Sequence, residues 1–365
     1  MPVTPLPYIT FANTHYPGAR FNLAHSNVPA LELSHLDVPR ELLNTHPVAL
    51  WERARVALAA RYGVTPAQVT LTSGCSGANA SMAALLGAGA TVLTERPGYE
   101  PMSATPTTLG LRIQTFQRTP GTWGVDPDVV EAALTPETRA VWLTNPHNPS
   151  GALTDADTLR ELAQRLARRD VLLYVDEIYL DFASPLGEGS AAALGENVII
   201  SSSLTKVYGL GTLRFGWMVG PEALIRELAQ LQIHLNGMVS GVGVAYGLTA
   251  LADLERVKRL ATGHLGDRDA LLRQHLTRAE GFRWTTPPVG IVGLLQIDGV
   301  EDDLAFVRAL IAREEVTLTP ASFFGVSGHF RLGFGTHEQE LVEGLTRLTR
   351  FARAWRLEEG HGQAT

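Results

Sequence analysis

AVWLTNPHNPSGALTDADTLRELAQRLARRDVLLYV, residues 140–175, reads in succession as strand, turn, helix and strand. Residues 140–144 are apolar and β-prone, and two Asn-Pro pairs then break the run. Thr154 is expected to cap a helix whose Leu159, Leu162, Ala163 and Leu166 share one face, with Arg168 and Arg169 offsetting its C-terminal dipole. Residues 171–175 form the second apolar run. Upstream, helices at 48–61 and 77–86 alternate with strands at 69–72 and 91–94; downstream, 197–201 and 215–219 are further strands. This alternation predicts an α/β fold with a mostly parallel central sheet covered by helices. Past about residue 240 a long helical region leads to strands near 290–297 and 330–334 and a helix at 338–356. The expected division is a large domain at 46–240, a smaller α+β domain from 1–45 and 241–357, and a flexible tail at 358–365.

The bulk numbers narrow the function. The chain has 365 residues, 45% hydrophobic and 18% charged, with 35 glycines, which suits a soluble enzyme of two domains. A net charge of −7 without any basic block argues against a nucleic-acid partner. The single cysteine, Cys75, excludes an internal disulfide, and the histidines are scattered without ligand spacing, so no metal site is expected. Residues 1–16 lack a positively charged start and carry Pro2, Pro5 and Pro7, so neither an export signal nor a transit helix is expected; a cytoplasmic location is. Residues 228–252 lack formal charge, but Gln230, Gln232, His234, Asn236 and four glycines read as a buried or interface segment, not a membrane span.

Only two of the 30 lysine-plus-arginine residues are lysine, and one of them, Lys206, lies in Ser201-Ser202-Ser203-Leu204-Thr205-Lys206. Arginine stays protonated, whereas a desolvated lysine amine can lose its proton and condense with a carbonyl compound. Base composition alone also produces an arginine bias, so Lys206 needs its surroundings. Thr72-Ser73-Gly74-Cys75-Ser76-Gly77-Ala78-Asn79 is a strand end, a glycine turn and a helix start, where free N–H groups and the Ser76 hydroxyl suit a phosphate, although such turns are also common without a ligand. Arg214, eight residues past Lys206, adds a cation suited to bidentate pairing with phosphate. Asp176 leaves an apolar strand and needs a cation, for which a protonated pyridine nitrogen serves; Tyr179 can donate to a phenolate oxygen. Asn148 offers an amide between prolines, and the same residues also read as a plain loop.

With these residues in hand, the chain resembles the fold type I pyridoxal-phosphate (PLP) enzymes, specifically the class I/II aminotransferase family, from about residue 45 to 335. The motifs that carry the resemblance are Asn148-Pro149-Ser150-Gly151, Asp176 with Tyr179, and Ser203-Leu204-Thr205-Lys206 followed by Arg214. It implies that Lys206 binds the cofactor aldehyde and shuttles the substrate Cα proton, and that Asp176 keeps the pyridine nitrogen protonated. Asn148 and Tyr179 are then the partners of the ring oxygen. Ser203, Arg214, Ser76 and the amides of Gly74 and Cys75 hold the phosphate, Tyr99 stacks on the ring, and Arg331 clamps the substrate α-carboxylate together with Asn148. A homodimer using an α-amino acid and a 2-oxo acid by a ping-pong route is implied, with a lyase or decarboxylase as the alternative on the same site and a non-catalytic regulator as a more distant one. Where relatives carry a tyrosine-containing segment before the first large-domain helix, this chain has Thr45-His46-Pro47; His46 reads either as a substitute phosphate contact or as a solvated loop residue. Arg20 is a candidate for a distal carboxylate.

Overall fold

Seven strands make the main sheet, in the order Val69–Ser73, Phe215–Val219, Val198–Ser203, Leu172–Asp176, Thr138–Thr144, Thr91–Arg96, Arg112–Gln117. The structure is a computed structural model that describes residues 3–183, 189–284 and 289–362, with side chains described to residue 357. Neighbouring strands are parallel except at Phe215–Val219, which runs antiparallel to both of its neighbours. The α/β architecture expected from the alternation of elements is therefore present. Successive residues of each strand point to opposite faces. Val141, Leu143, Leu173, Val175 and Ile200 enter one core, while Ala140, Trp142, Tyr174 and Ile199 enter another on the opposite face. Burial on both sides is why these strands are nearly unbroken apolar runs.

The helices close both faces. Ala156–Ala167 buries Leu159, Leu162, Ala163 and Leu166 as its spacing requires. Its cap differs from expectation: Asp155 Oδ1 accepts from Thr158 N at 2.8 Å, while Thr154 N is already committed to Asn145 Oδ1. A carboxylate at this position also complements the helix dipole, which a threonine cannot do. Pro47–Tyr62 begins at His46, whose Nδ1 accepts from Val48 N at 3.4 Å, and ends at Gly63 in the left-handed region with φ +65°. That glycine supplies the backbone conformation a helix C-terminus commonly needs.

A second core lies around a four-stranded antiparallel sheet, in the order Thr319–Pro320, His329–Gly333, Val292–Ile297, Phe282–Trp284. Residues from the chain start, Tyr8, Phe11, Leu23 and Val28, pack in it beside Phe306, Phe324, Phe330 and Leu345. Phe21–Asn22 pairs in parallel with Val316–Thr317. The divisions expected at residues 45 and 240 cut differently from the cores, because Leu36, Val244, Ala245, Ala250, Leu254 and Val257 pack with the large sheet. The cause is close approach of the helix Gly241–Ala252: a Cβ on Gly247 would lie 2.7 Å from the Phe215 ring, and one on Gly243 2.5 Å from Leu213 O. The uncharged stretch breaks at Gly237 into this helix and Glu222–Asn236. Among the described residues no helix is long and apolar enough to cross a membrane. The last helix runs Glu338–Gly362, into the segment expected as a flexible tail, and residues 363–365 lie outside the described residues.

Candidate active site

Five parallel strands and the one reversed strand converge on a cavity of about 180 Å³. Its wall takes Cys75, Ser76 and Asn79 after Val69–Ser73, Tyr99 after Thr91–Arg96, and Thr144 and Asn148 at the end of Thr138–Thr144. Asp176, Ile178 and Tyr179 come from the end of Leu172–Asp176, and Thr205 and Lys206 follow Val198–Ser203. Arg214 immediately precedes Phe215–Val219, so the reversal of that strand returns it to the same sheet edge. Open α/β sheets place ligands at this edge because the strand ends leave their loops free to diverge.

The lysine and the carboxylate face each other electrostatically. Burial, reinforced by Arg331, pushes the Lys206 ammonium down to about 8, so an appreciable share of the amine is neutral near physiological pH. Its Nζ donates to Ser26 Oγ at 3.1 Å. Asp176 is 3% exposed. Burial pushes its carboxyl up to about 6, opposed by hydrogen bonds from the Cys75 thiol, from Ile178 N and from Ser201. Ile178 N lies 3.2 Å from Asp176 Oδ1. This carboxylate has donors but no cation bonded to it among the described residues, so a protonated ring nitrogen would complete its environment. Tyr179 donates to Ser26 O at 2.9 Å, and burial pushes its phenol above the ordinary range.

The anion end of the cavity is built by backbone. The 13-residue helix Gly74–Leu86 starts at the cavity, with Ser76 exposed at its first turn. Gly74 has φ +67°, and a Cβ there would sit 2.6 Å from Arg214 Nη2. Glycine is therefore what lets the guanidinium lie against the turn, where Arg214 Nη2 donates to Ser73 O at 3.0 Å. Ser203 differs from expectation: its hydroxyl donates to Thr205 Oγ1 at 3.0 Å and accepts from Thr205 N at 3.3 Å, and it is Thr205 that lines the cavity. Helix N–H groups, Ser76, Thr205 and Arg214 form a donor set suited to a dianion.

Arg331 is fully buried and is not itself on the cavity wall; it lies behind Asn148, which is. Its Nη1 donates to Asn148 Oδ1 at 3.1 Å, and its Nη2 donates to the Tyr8 hydroxyl and to Ala24 O, each at 2.9 Å. The Tyr8 and Phe324 rings lie 5.2 and 5.1 Å from the guanidinium carbon; burial works against its charge, and the hydroxyls of Tyr8, Tyr16 and Tyr179 outweigh that and keep it protonated. Tyr99 meets Tyr8 edge-on at 6.0 Å. Two expectations move elsewhere. Arg20 pairs on the surface with Glu315 at 3.0 Å and does not line the cavity, and His46 caps a helix. Among the described residues no cluster of His, Cys, Asp or Glu is arranged to hold a metal ion. Ser26, Asn79, Thr144, Ile178 and Thr205 also line the cavity; all but Ser26 lie in or beside a motif the sequence marks, Asn79 in the turn from Thr72, Thr144 before the Asn148 turn, Ile178 beside Asp176 and Thr205 beside Lys206. Taken together, the wall offers a dianion cradle, a buried carboxylate and an amine that can be neutral, which fits a ligand carrying phosphate, a basic ring nitrogen and an aldehyde.

Comparison with known proteins agrees. A family model described as aminotransferase class I and II matches residues 22–348. Capreomycidine synthase of Streptomyces vinaceus is 30% identical over 319 residues, covering 82% of this chain and 78% of that protein. Aspartate aminotransferase of Rhizobium meliloti is 30% identical over 239 residues, covering 60% of this chain and 58% of that protein. The crystal structure of a PLP-dependent aminotransferase from Streptococcus suis 89-1591 superposes with a TM-score of 0.87 at 23% identity, covering 97% of this chain and 99% of that one.

Proposed function

Because the chain belongs to the class I and II aminotransferase family, which depends on pyridoxal phosphate, we propose that it moves an amino group from an α-amino acid to a 2-oxo acid in two half-reactions. The observation that carries this reading is the placement of Lys206 and Asp176 in one cavity with Arg214 and the start of Gly74–Leu86. Bound there, the cofactor supplies an aldehyde and a conjugated ring that withdraws electrons from the substrate Cα. Ser76, Thr205, Arg214 and the amides of Gly74 and Cys75 hold its phosphate. Asp176 would pair with the ring nitrogen and keep it protonated, Asn148 would donate to the ring oxygen, Tyr179 would join it by turning its hydroxyl proton from Ser26 O, and Tyr99 would pack on the ring. Lys206, whose pKa burial lowers to about 8 so that a share of the amine is neutral, would take the substrate Cα proton and carry it across to the cofactor side of the reacting nitrogen. Arg331 and Asn148 bind the substrate carboxylate, which fixes which Cα bond is broken.

A homodimer is part of the proposal. Val48, Ile233, Met238 and Val242 are exposed apolar side chains on and around the paired helices that begin at Pro47 and Gly241, and a second copy would cover them. Cytoplasmic placement goes with it, supported by the buried, free Cys75.

The test is an amino-donor screen with one 2-oxo acid acceptor on protein reconstituted with the cofactor. Product amino acid formed with parallel double-reciprocal lines is the expected result; no turnover with any donor overturns it. The similarity to a protein named capreomycidine synthase favours a second reading, a lyase, decarboxylase or cyclase that needs no acceptor. Product released from an amino acid alone, without a 2-oxo acid, would select it.

A further inference from the structure

We propose that the buried Glu95–Arg118 pair is a positioning device for substrate-carboxylate recognition, acting through Thr144 and Asn148 on Arg331. It rests on the roles proposed above for Asn148 and Arg331. Glu95 is the penultimate residue of the strand Thr91–Arg96; it is 3% exposed, Arg118 is 1% exposed, and neither is on the wall of the cofactor cavity. Arg118 donates to Glu95 Oε2 through Nε at 2.8 Å, with Nη2 in ion-pair contact with the same oxygen at 2.7 Å, and Nη2 donates to Thr144 O at 3.1 Å. A buried ion pair is weak support for stability by itself, since a packed apolar pair would serve as well, so its geometry is the informative part.

That geometry has a direction. Glu95 Oε1 accepts both Thr144 N at 2.9 Å and Thr144 Oγ1 at 2.6 Å. The single hydroxyl proton of Thr144 is thereby committed to the carboxylate, leaving its lone pairs to accept Asn148 N at 3.1 Å. Asn148 Oδ1 in turn accepts from Arg331 Nη1 at 3.1 Å. Arginine only donates, so the carbonyl side of the Asn148 amide must face it, and the NH₂ side is left for the cavity. Arg331 Nη2 is pinned on its far side by Ala24 O and Tyr8. The carboxylate of Glu95 therefore fixes the Thr144 hydroxyl as the acceptor that holds the Asn148 backbone, and Arg331 fixes which face of the Asn148 amide it meets. Burial pushes the Glu95 carboxyl up, opposed by Arg118 and the Thr144 hydrogen bonds that favour its ionised form. The loop is held from behind as well, since His147 bridges Ser150 Oγ at 2.6 Å and Pro97 O at 2.9 Å.

A glutamine at position 95 cannot reproduce this pattern. Its NH₂ would face either the two donors of Arg118 or the two donors of Thr144, and a Thr144 hydroxyl turned to accept from it would oppose Asn148 N. The experiment compares Glu95→Gln, Thr144→Val and Thr144→Ser with the unaltered protein, all loaded with cofactor. Two quantities are read: binding of an unreactive 2-methyl amino acid by absorbance titration, and the pKa of the bound cofactor's absorbance, which depends on the Asn148 amide at the ring oxygen. Glu95→Gln and Thr144→Val are expected to weaken analogue binding and raise KM by up to about 100-fold, the scale of a 1 Å misplacement, and to raise the absorbance pKa. Thr144→Ser, which keeps the hydroxyl, recovers most of what Thr144→Val loses, and the Glu95→Gln/Thr144→Val double variant is no worse than the poorer single one. Loaded variants with unchanged KM, analogue affinity and absorbance pKa, altered only in melting temperature, overturn the inference alone. An unaltered protein that binds no cofactor overturns the functional reading and the inference together.

Discussion

Lys206 Nζ donates to the hydroxyl of Ser26 at 3.1 Å, and the carbonyl of the same serine accepts from the Tyr179 hydroxyl at 2.9 Å. One residue of the N-terminal segment thus holds two groups that arise from different strands of the large sheet. That segment is itself fixed at both ends. Phe21–Asn22 pairs with Val316–Thr317, and further on Val28 N and Leu31 N donate to Lys206 O and Gly209 O at 3.4 and 3.0 Å. The position of the amine is therefore set jointly by the two cores.

Lys206→Ala is expected to abolish turnover and the absorbance of lysine-bound cofactor. Borohydride reduction of the unaltered protein, followed by peptide mapping, should place the label on residue 206; a label elsewhere, or transamination retained by the variant, contradicts the role.

The amine should titrate early. With its pKa lowered from 10.5 to about 8, capture of the cofactor aldehyde by cofactor-free protein is expected to accelerate through a midpoint near pH 8 and level off above it. The folded chain binds fewer protons here than the unfolded chain between these two values, so this group's contribution to stability rises with pH across that window. Stopped-flow capture rates and urea midpoints at a series of pH values measure both effects; a capture rate still climbing at pH 10 would refute the first.

Asp176→Ala is expected to reduce kcat by roughly 10²–10⁴-fold, the scale of a positioned acid–base partner, while leaving some cofactor bound through the phosphate end. Near-normal turnover in a steady-state assay would remove the carboxylate from the mechanism.

Gly74→Ala should cost about 1–2 kcal/mol from the left-handed backbone alone, and its methyl group would press on Arg214 Nη2 from 2.6 Å. A lower urea midpoint together with weaker cofactor binding is the expected pair of results. Gly18→Ala, where a Cβ meets nothing within 4 Å, is the control and should change neither.

Much of this could be read from the chain because parallel strands buried on both faces leave uninterrupted apolar runs, and their last residues and the loops that follow carry Asp176, Asn148 and Lys206. The edge strand Arg112–Gln117 gave no such run, since four of its six residues are polar or charged and only Phe116 is buried. Ser26 lies 180 residues from Lys206 in sequence, and no local pattern marks a hydroxyl that matters only through a tertiary contact. Ser203 and Thr205 were interchangeable by type, and only the backbone turn decides which hydroxyl faces the cavity. The helix Gly241–Ala252 packs with the large-sheet core, which its sequence does not mark, because its small residues, which permit close packing on Phe215, carry little hydrophobic pattern of their own.

The N-terminal segment has a practical bearing on how this protein is prepared. A gene shortened so that translation starts after Pro29 would still encode all seven strands of the large sheet, and its product could pass a circular-dichroism check. It would lack the Ala24 carbonyl, the Ser26 hydroxyl and the Ser26 carbonyl, which anchor Arg331, Lys206 and Tyr179. Such a preparation would also lose Tyr8, Phe11, Leu23 and Val28 from the second core, so the first 29 residues serve both the packing and the chemistry and should be kept in any shortened version.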